Sequence, residues 1–226
     1  MTNWDRFLDS FFNARVAAEY LPKIIEGFWL TILLAGCIIV SGLAAGLGLA
    51  VVRSFAIRPL NWLIIFLVDL FRALPPLVLI ALFYFGLPAA GLSMDGFTAA
   101  WASLALVLMA FTEEIFWAGI TAVPKGQWEA ARSTGLGFFA TLRLVVLPQA
   151  LRMTVPPLTN RTIAITKGTA LASVVAVPDI LGAAQAGVSF SFNPKPLTLG
   201  ALAYLVLFLP VVILGRWVET RFAWKR

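Results

Sequence analysis

The chain has 226 residues, of which 61% are hydrophobic and 12% charged, with a mean hydropathy of +0.92. A soluble domain of this length needs far more polar surface, so the composition excludes one and reads as an integral membrane protein. The net charge of +6 invites a nucleic-acid reading, but the basic residues cluster at the ends of apolar stretches rather than with aromatic platforms, which excludes that class as well.

The first twenty residues, with Asp5, Asp9 and Glu19, do not read as a cleaved signal peptide. From Trp4 to Ala18, Phe7, Leu8, Phe11 and Phe12 alternate with polar residues, which predicts an interfacial amphipathic helix within an N-terminal segment 1–26. Beyond it, residues 27–226 form one transmembrane domain. A crossing helix needs about 20 apolar residues. Five stretches qualify: Gly27 to Val52, Leu60 to Leu87, Thr98 to Val123, Met153 to Val177 and Leu197 to Val218. The fold class is therefore all-α, with five transmembrane helices.

Orientation follows from the loop cations. With the N-terminus outside, Arg53, Arg58, Lys125, Arg132, Arg143, Arg152, Arg216, Arg221, Lys225 and Arg226 fall in the cytoplasm, against Arg6, Arg15, Lys23 and Lys195 on the other side. The asymmetry predicts N-out, C-in. Loops on the outer side, Gly86 to Gly96 and Val188 to Pro196, are short and rich in turn formers.

Between the third and fourth spans a cytoplasmic loop, 124–152, contains QWEAARSTGLGFFATLRLVVLP from Gln127 to Pro148. Its first part, Gln127 to Thr134, predicts a short helix stopped at Gly135, and the remainder a second amphipathic piece ending at Pro148. Glu129, Ala130 and Ala131 set two small side chains beside one acid, a face that a partner surface can approach closely. Phe138, Phe139, Leu142, Leu144, Val145 and Val146 anchor the second piece to the apolar core. The same pattern also fits an ordinary interfacial loop.

Charges inside spans need a partner or a water-filled path. Asp69 and Arg72, three apart, predict an ion pair on one helix face just before the helix-breaking Pro75-Pro76. Adjacent Glu113 and Glu114 point about 100° apart, so they cannot share a face. Asn160, Arg161, Thr166, Lys167 and Thr169 form a polar stripe. A path for a zwitterion needs donors for a carboxylate, such as Lys167 and Asn160, and an acceptor for an ammonium, such as Glu114. Equally, Lys167 and Glu114 neutralise each other between helices. Neither histidine nor a second cysteine accompanies Cys37, and no phosphate-binding loop is present, so no metal, cofactor or nucleotide site is read in this chain.

Three blocks in order, FRALPPLVLIALFYFGLP (Phe71 to Pro88), EEIFWAGITAVPKGQWEAARSTGLG (Glu113 to Gly137) and LPQALRMTVPPLTNRTIAITKGTAL (Leu147 to Leu171), resemble the permease subunits of polar amino-acid ABC importers, the histidine, glutamine and glutamate type. The resemblance implies a type I importer subunit of the bacterial inner membrane with no catalysis of its own. It implies two ABC ATPase subunits that bind ATP and Mg, a second permease as homo- or heterodimer partner, and a periplasmic amino-acid-binding protein. It carries the ATPase-coupling (EAA) motif to Gln127, Glu129, Ala130, Ala131, Gly135, Leu147 and Pro148, and matches Glu114 to the family's acid-Ile pair. Glu113 stands where a small residue is usual. Phe116, Trp117 and Ala118 stand where a basic residue and glycine are usual, and Ala170 replaces a hydroxyl. The competing classes are a stand-alone secondary transporter or channel, which predicts inverted repeats, and a membrane-embedded enzyme, which predicts clustered His, Asp or Glu. No repeat is visible, five crossings do not halve evenly, and histidine is absent.

Overall fold

The computed structural model describes residues 2–222, so Lys225 and Arg226, counted in the orientation argument, lie outside the described residues. Every regular element in the described residues is helical. The chain opens with α1 (Asn3–Phe12). The amphipathic helix thus ends at Phe12 rather than Ala18, because the Asn13 side chain accepts from the Val16 N–H at 3.1 Å and starts a new helix. That helix, α2 (Ala14–Arg53), runs 40 residues without a break. The expected boundary at residue 26 therefore falls inside a helix. Lys23 and Glu26 lie exposed on it while Tyr20 and Ile24 are buried, so the polar residues that suggested a boundary are one face of a longer helix.

The second apolar stretch is two helices rather than one. Pro75 and Pro76 lack the N–H groups that would continue the ladder, Leu74 and Pro75 take extended ψ values of 132° and 134°, and α3 (Arg58–Ala73) gives way to α4 (Pro76–Ala81). A π turn (Leu82–Gly86) and a 3-10 turn (Leu87–Ala90) extend α4. Next come α5 (Gly96–Ala122), α6 (Lys125–Ser133) and α7 (Phe138–Thr141). A π turn (Leu142–Val146) then joins α7 to α8 (Leu147–Lys167). Pro148 consequently begins a helix instead of ending one: the Leu147 N–H bonds Leu142 O, five residues back, which re-registers the ladder just ahead of the residue that cannot donate. A 3-10 turn (Gly168–Val175), α9 (Ile180–Ser191) and α10 (Lys195–Phe222) complete the chain.

Among the described residues, four helical stretches are long and apolar enough to cross a membrane: Ala14–Arg53, Gly96–Ala122, Phe138–Ser191 and Lys195–Phe222. The broken pair Arg58–Ala73 with Pro76–Ala90 makes five when counted as one span.

The chain divides into two compact units. The first comprises the chain up to Ile38 with Pro75–Leu104 and Thr166–Val212. Its core sets Ile24 of α2 against Ala183 and Ala184 of α9, with Leu199 and Ala203 of α10 packed alongside. At Gly27 a Cβ would lie 2.7 Å from the Asp179 carbonyl oxygen, so only glycine lets α2 come this close to the start of α9. The second unit comprises Ile39–Leu74, Ala105–Ile165 and the chain from Ile213. One of its clusters gathers Ala50, Phe116, Ile120, Val123, Leu142, Val146 and Ala150; another gathers Ile64, Val68, Met109 and Ala110.

Candidate functional site

The coupling-loop residues, Asp69, Arg72, Glu113, Glu114, Asn160 and Arg161 stand in the second unit, whereas Thr166, Lys167 and Thr169 belong to the first. In the second unit, α6 projects a short amphipathic foot. Trp128 packs on the apolar cluster and Ala131 is 6% exposed, while Gln127, Glu129 and Ala130 face outward. Helical geometry forces this split, since positions three apart share a face. Ala131 is therefore not part of an exposed Glu-Ala-Ala face, and of the two alanines only Ala130 faces outward.

Thr134 closes α6, its hydroxyl donating to Ala131 O at 2.7 Å, and Gly135 turns the chain at φ +87°, a conformation that favours glycine. Phe138 then stacks on Trp128, ring centroids 5.7 Å apart, and meets Phe55 from the α2–α3 connection at 5.5 Å. Leu142 and Val146 are buried beneath, whereas Phe139 and Leu144 are exposed and do not anchor the second piece. Leu147 is partly buried on the same cluster, Pro148 is exposed, and the Gln149 amide donates to Val145 O at 2.8 Å and reaches Gln127 at 3.4 Å.

A charge cluster lies on α2, α3, α5 and α8 of the same unit. Arg53 Nη1 donates to both carboxylate oxygens of Glu113, at 3.0 and 3.3 Å; the acid is fully buried and Arg53 is 18% exposed. The guanidinium also sits 4.5 Å over the Trp117 ring, and the Asn61 amide donates to Arg53 O at 3.1 Å. Trp117 is thus a cation's platform. Arg72 and Asp69 stand 3.7 Å apart, as the i, i+3 spacing predicts. The tighter partner of Arg72 is Glu114, at 2.8 Å, and its guanidinium lies 5.4 Å from the centre of Phe111. On the same ring, at 3.8 Å, lies the guanidinium of Arg161.

Of the stripe residues, Asn160 and Lys167 are exposed on α8, but Thr169 is buried and its hydroxyl donates to Thr166 O at 2.8 Å. The tight turn points that hydroxyl back at its own backbone, so Thr169 offers nothing to a path. Spacing in the sequence places Arg53 among the loop cations and Arg161 in the polar stripe, but predicts neither the Arg53–Glu113 pair nor the stacking of Arg161 on Phe111. Their partners lie about fifty to sixty residues away or on another helix, beyond the reach of local spacing.

Residues 38–224 match the family model for a binding-protein-dependent transport system inner membrane component. The chain belongs to that family. Among curated relatives, the permease is 34% identical to the "Probable glutamine ABC transporter permease protein GlnM" of Bacillus subtilis, over 92% of this chain and 97% of that one. It is also 34% identical to the "Arginine transport system permease protein ArtQ" of the same organism, over 89% and 93%. Among solved structures it resembles a chain of the "Crystal structure of an amino acid ABC transporter with histidines", with TM-score 0.81 and 32% identity over 90% of this chain and 96% of that one. A chain of the MetNI methionine ABC transporter shares the fold, with TM-score 0.65 at 19% identity over the full length of both chains. The permease is thus a multi-pass membrane transport component with the fold of a type I ABC importer subunit, and its relatives are transport rather than catalytic subunits.

Proposed function

We propose that the chain is the membrane subunit of an ATP-driven importer that moves polar amino acids or close analogues from periplasm to cytoplasm. It lies in the bacterial inner membrane with its N-terminus outside and its C-terminus inside. It works with a second permease, two ATPase subunits that bind ATP and Mg, and a periplasmic amino-acid-binding protein. The relatives named above supply the substrate class. Asn160, Lys167 and Glu114 stand along the route for the solute.

The observation that carries the coupling role is the division of α6 into two faces. An outward face of Gln127, Glu129 and Ala130 can be approached closely by a partner, and the opposite face is fixed by Trp128 and Phe138 to the apolar cluster that also holds Phe116 and Ile120 of α5. A push on this foot reaches α5 through packed side chains rather than through a slack loop, which suits a two-state helix rearrangement driven by closure of the ATPase pair.

Ala130→Trp tests it. Placing a bulky ring on the small outward position abolishes ATP-driven uptake in vesicles carrying all partners, while the subunit still inserts and α6 keeps its inward face. Normal uptake by this variant overturns the docking role of α6.

A further inference from the structure

Phe111 carries two guanidinium groups, and ion pairs account for Arg72 but not for Arg161. The two guanidinium groups share one phenyl ring, at 5.4 and 3.8 Å. Arg72 meets Glu114 at 2.8 Å and Asp69 at 3.7 Å, and its Nε is buried without an acceptor. Arg161 has the ring beneath it, and among the described residues no carboxylate pairs with it. Stacking satisfies the flat face of a guanidinium and leaves its N–H edges directed sideways, where they hold an oxyanion in fork geometry. A cation inside a span without an anion is costly, which argues for a ligand at this place.

Both Phe111 and Arg161 stand well inside their helices, α5 and α8, rather than at the ends where lipid phosphates lie. We infer that Arg161, stacked beside the ion-paired Arg72, holds the carboxylate of the transported solute, and that the site takes neutral or acidic amino acids in preference to basic ones. Two guanidinium groups on one ring repel a third cation, and the Glu114 carboxylate that would receive it is already held by Arg72. This inference rests on the importer reading above and names the substrate class of its path.

The experiment is equilibrium binding of radiolabelled glutamate, glutamine and arginine to the purified permease–ATPase complex in nanodiscs, without the periplasmic receptor. Glutamate or glutamine binds about tenfold more tightly than arginine, and Arg161→Gln weakens that binding about tenfold. Arg161→Lys, which keeps charge but not the flat stack, gives an intermediate loss. Should Arg161→Gln fail to assemble, as judged by size-exclusion elution, Phe111→Leu removes the platform and produces the same weakening. Arginine binding as tightly as glutamate, no binding of any of the three by the wild type, or unchanged binding by the variants overturns the inference. So does loss of co-purifying phospholipid from Arg161→Gln with solute binding intact. Uptake in vesicles that proceeds without ATP overturns the importer reading instead, and leaves the binding comparison standing.

Discussion

The two units satisfy their acids by different chemistry. In the first, Asp179 is fully buried and meets neutral donors: the Gly182 N–H at 2.8 Å, which makes it the N-cap of α9, and the Tyr204 hydroxyl at 3.1 Å. Nearby, the Thr31 hydroxyl donates to Gly27 O and accepts from the Ile180 N–H, so α2, α9 and α10 are joined by hydrogen bonds without a cation. In the second, Glu113 and Glu114 meet guanidinium groups, and each of these also rests on an aromatic ring. A capped acid ties one helix start to its neighbours and has a single geometry. An ion pair between two long side chains can let go and re-form, which suits the unit that carries the foot and the proposed solute site.

This contrast predicts unequal costs of removal, largest at Glu113. Glu113→Leu leaves Arg53 mostly buried with only the Trp117 ring for company, and removing one partner of a buried pair costs about 3–5 kcal/mol, reduced here because Arg53 keeps partial access to solvent. A fall in the thermal midpoint of the detergent-purified subunit measures it. Pairing Glu113→Leu with Arg53→Met, which removes both charges, restores most of the loss. Failure to restore it means the cost lies in packing around α5 rather than in the stranded charge.

How far such features were legible varies with the range of the interaction. Gly135 and Pro75 announced their breaks because backbone sterics act within one or two residues. The start of α2 was not legible, since Glu19, Lys23 and Glu26 look like a solvated segment until Tyr20 and Ile24 are seen to be buried on the opposite face. Helix α9 does carry a local signal: Pro178-Asp179 ahead of an apolar run is a helix start with an N-cap acid. The inward turn of Ala131 follows from helical period once Trp128 is taken as the anchor. By contrast, Arg53 with Glu113 and Arg161 with Phe111 join distant parts of the chain, and a single sequence holds no local trace of either pairing. The doubled prolines marked the break in the second stretch, but not that α3 and α4 would fall in different units.

A smaller effect is expected in the first unit. Asp179→Ala removes the cap of α9 and the acceptor of Tyr204, and a lost N-cap costs about 0.5–2 kcal/mol. Asp179→Asn keeps an oxygen for the Gly182 N–H and recovers part of it. Tyr204→Phe in the Asp179→Ala background adds little further destabilisation, because the bond it would break is already gone. Additive losses in that thermal-unfolding cycle show that the hydroxyl acts independently of the acid, and the neutral-donor account of this unit fails.

The smallest effect belongs to Glu114, whose side chain is 48% exposed, and its bond to Arg72 therefore sits in the range of solvent-screened pairs, about 0–1 kcal/mol. Glu114→Gln leaves the thermal midpoint nearly unchanged for that reason. Its consequence is in selectivity. Arg72 loses its tight anion, keeps only Asp69 at 3.7 Å, and is freed to take a second oxyanion beside Arg161. Uptake by the complete importer then shifts further towards acidic solutes in direct competition between glutamate and glutamine. A large drop in stability with no shift in that competition places Glu114 among the structural pairs of the second unit, alongside Glu113, and erases the distinction between a buried clasp and an exchangeable one.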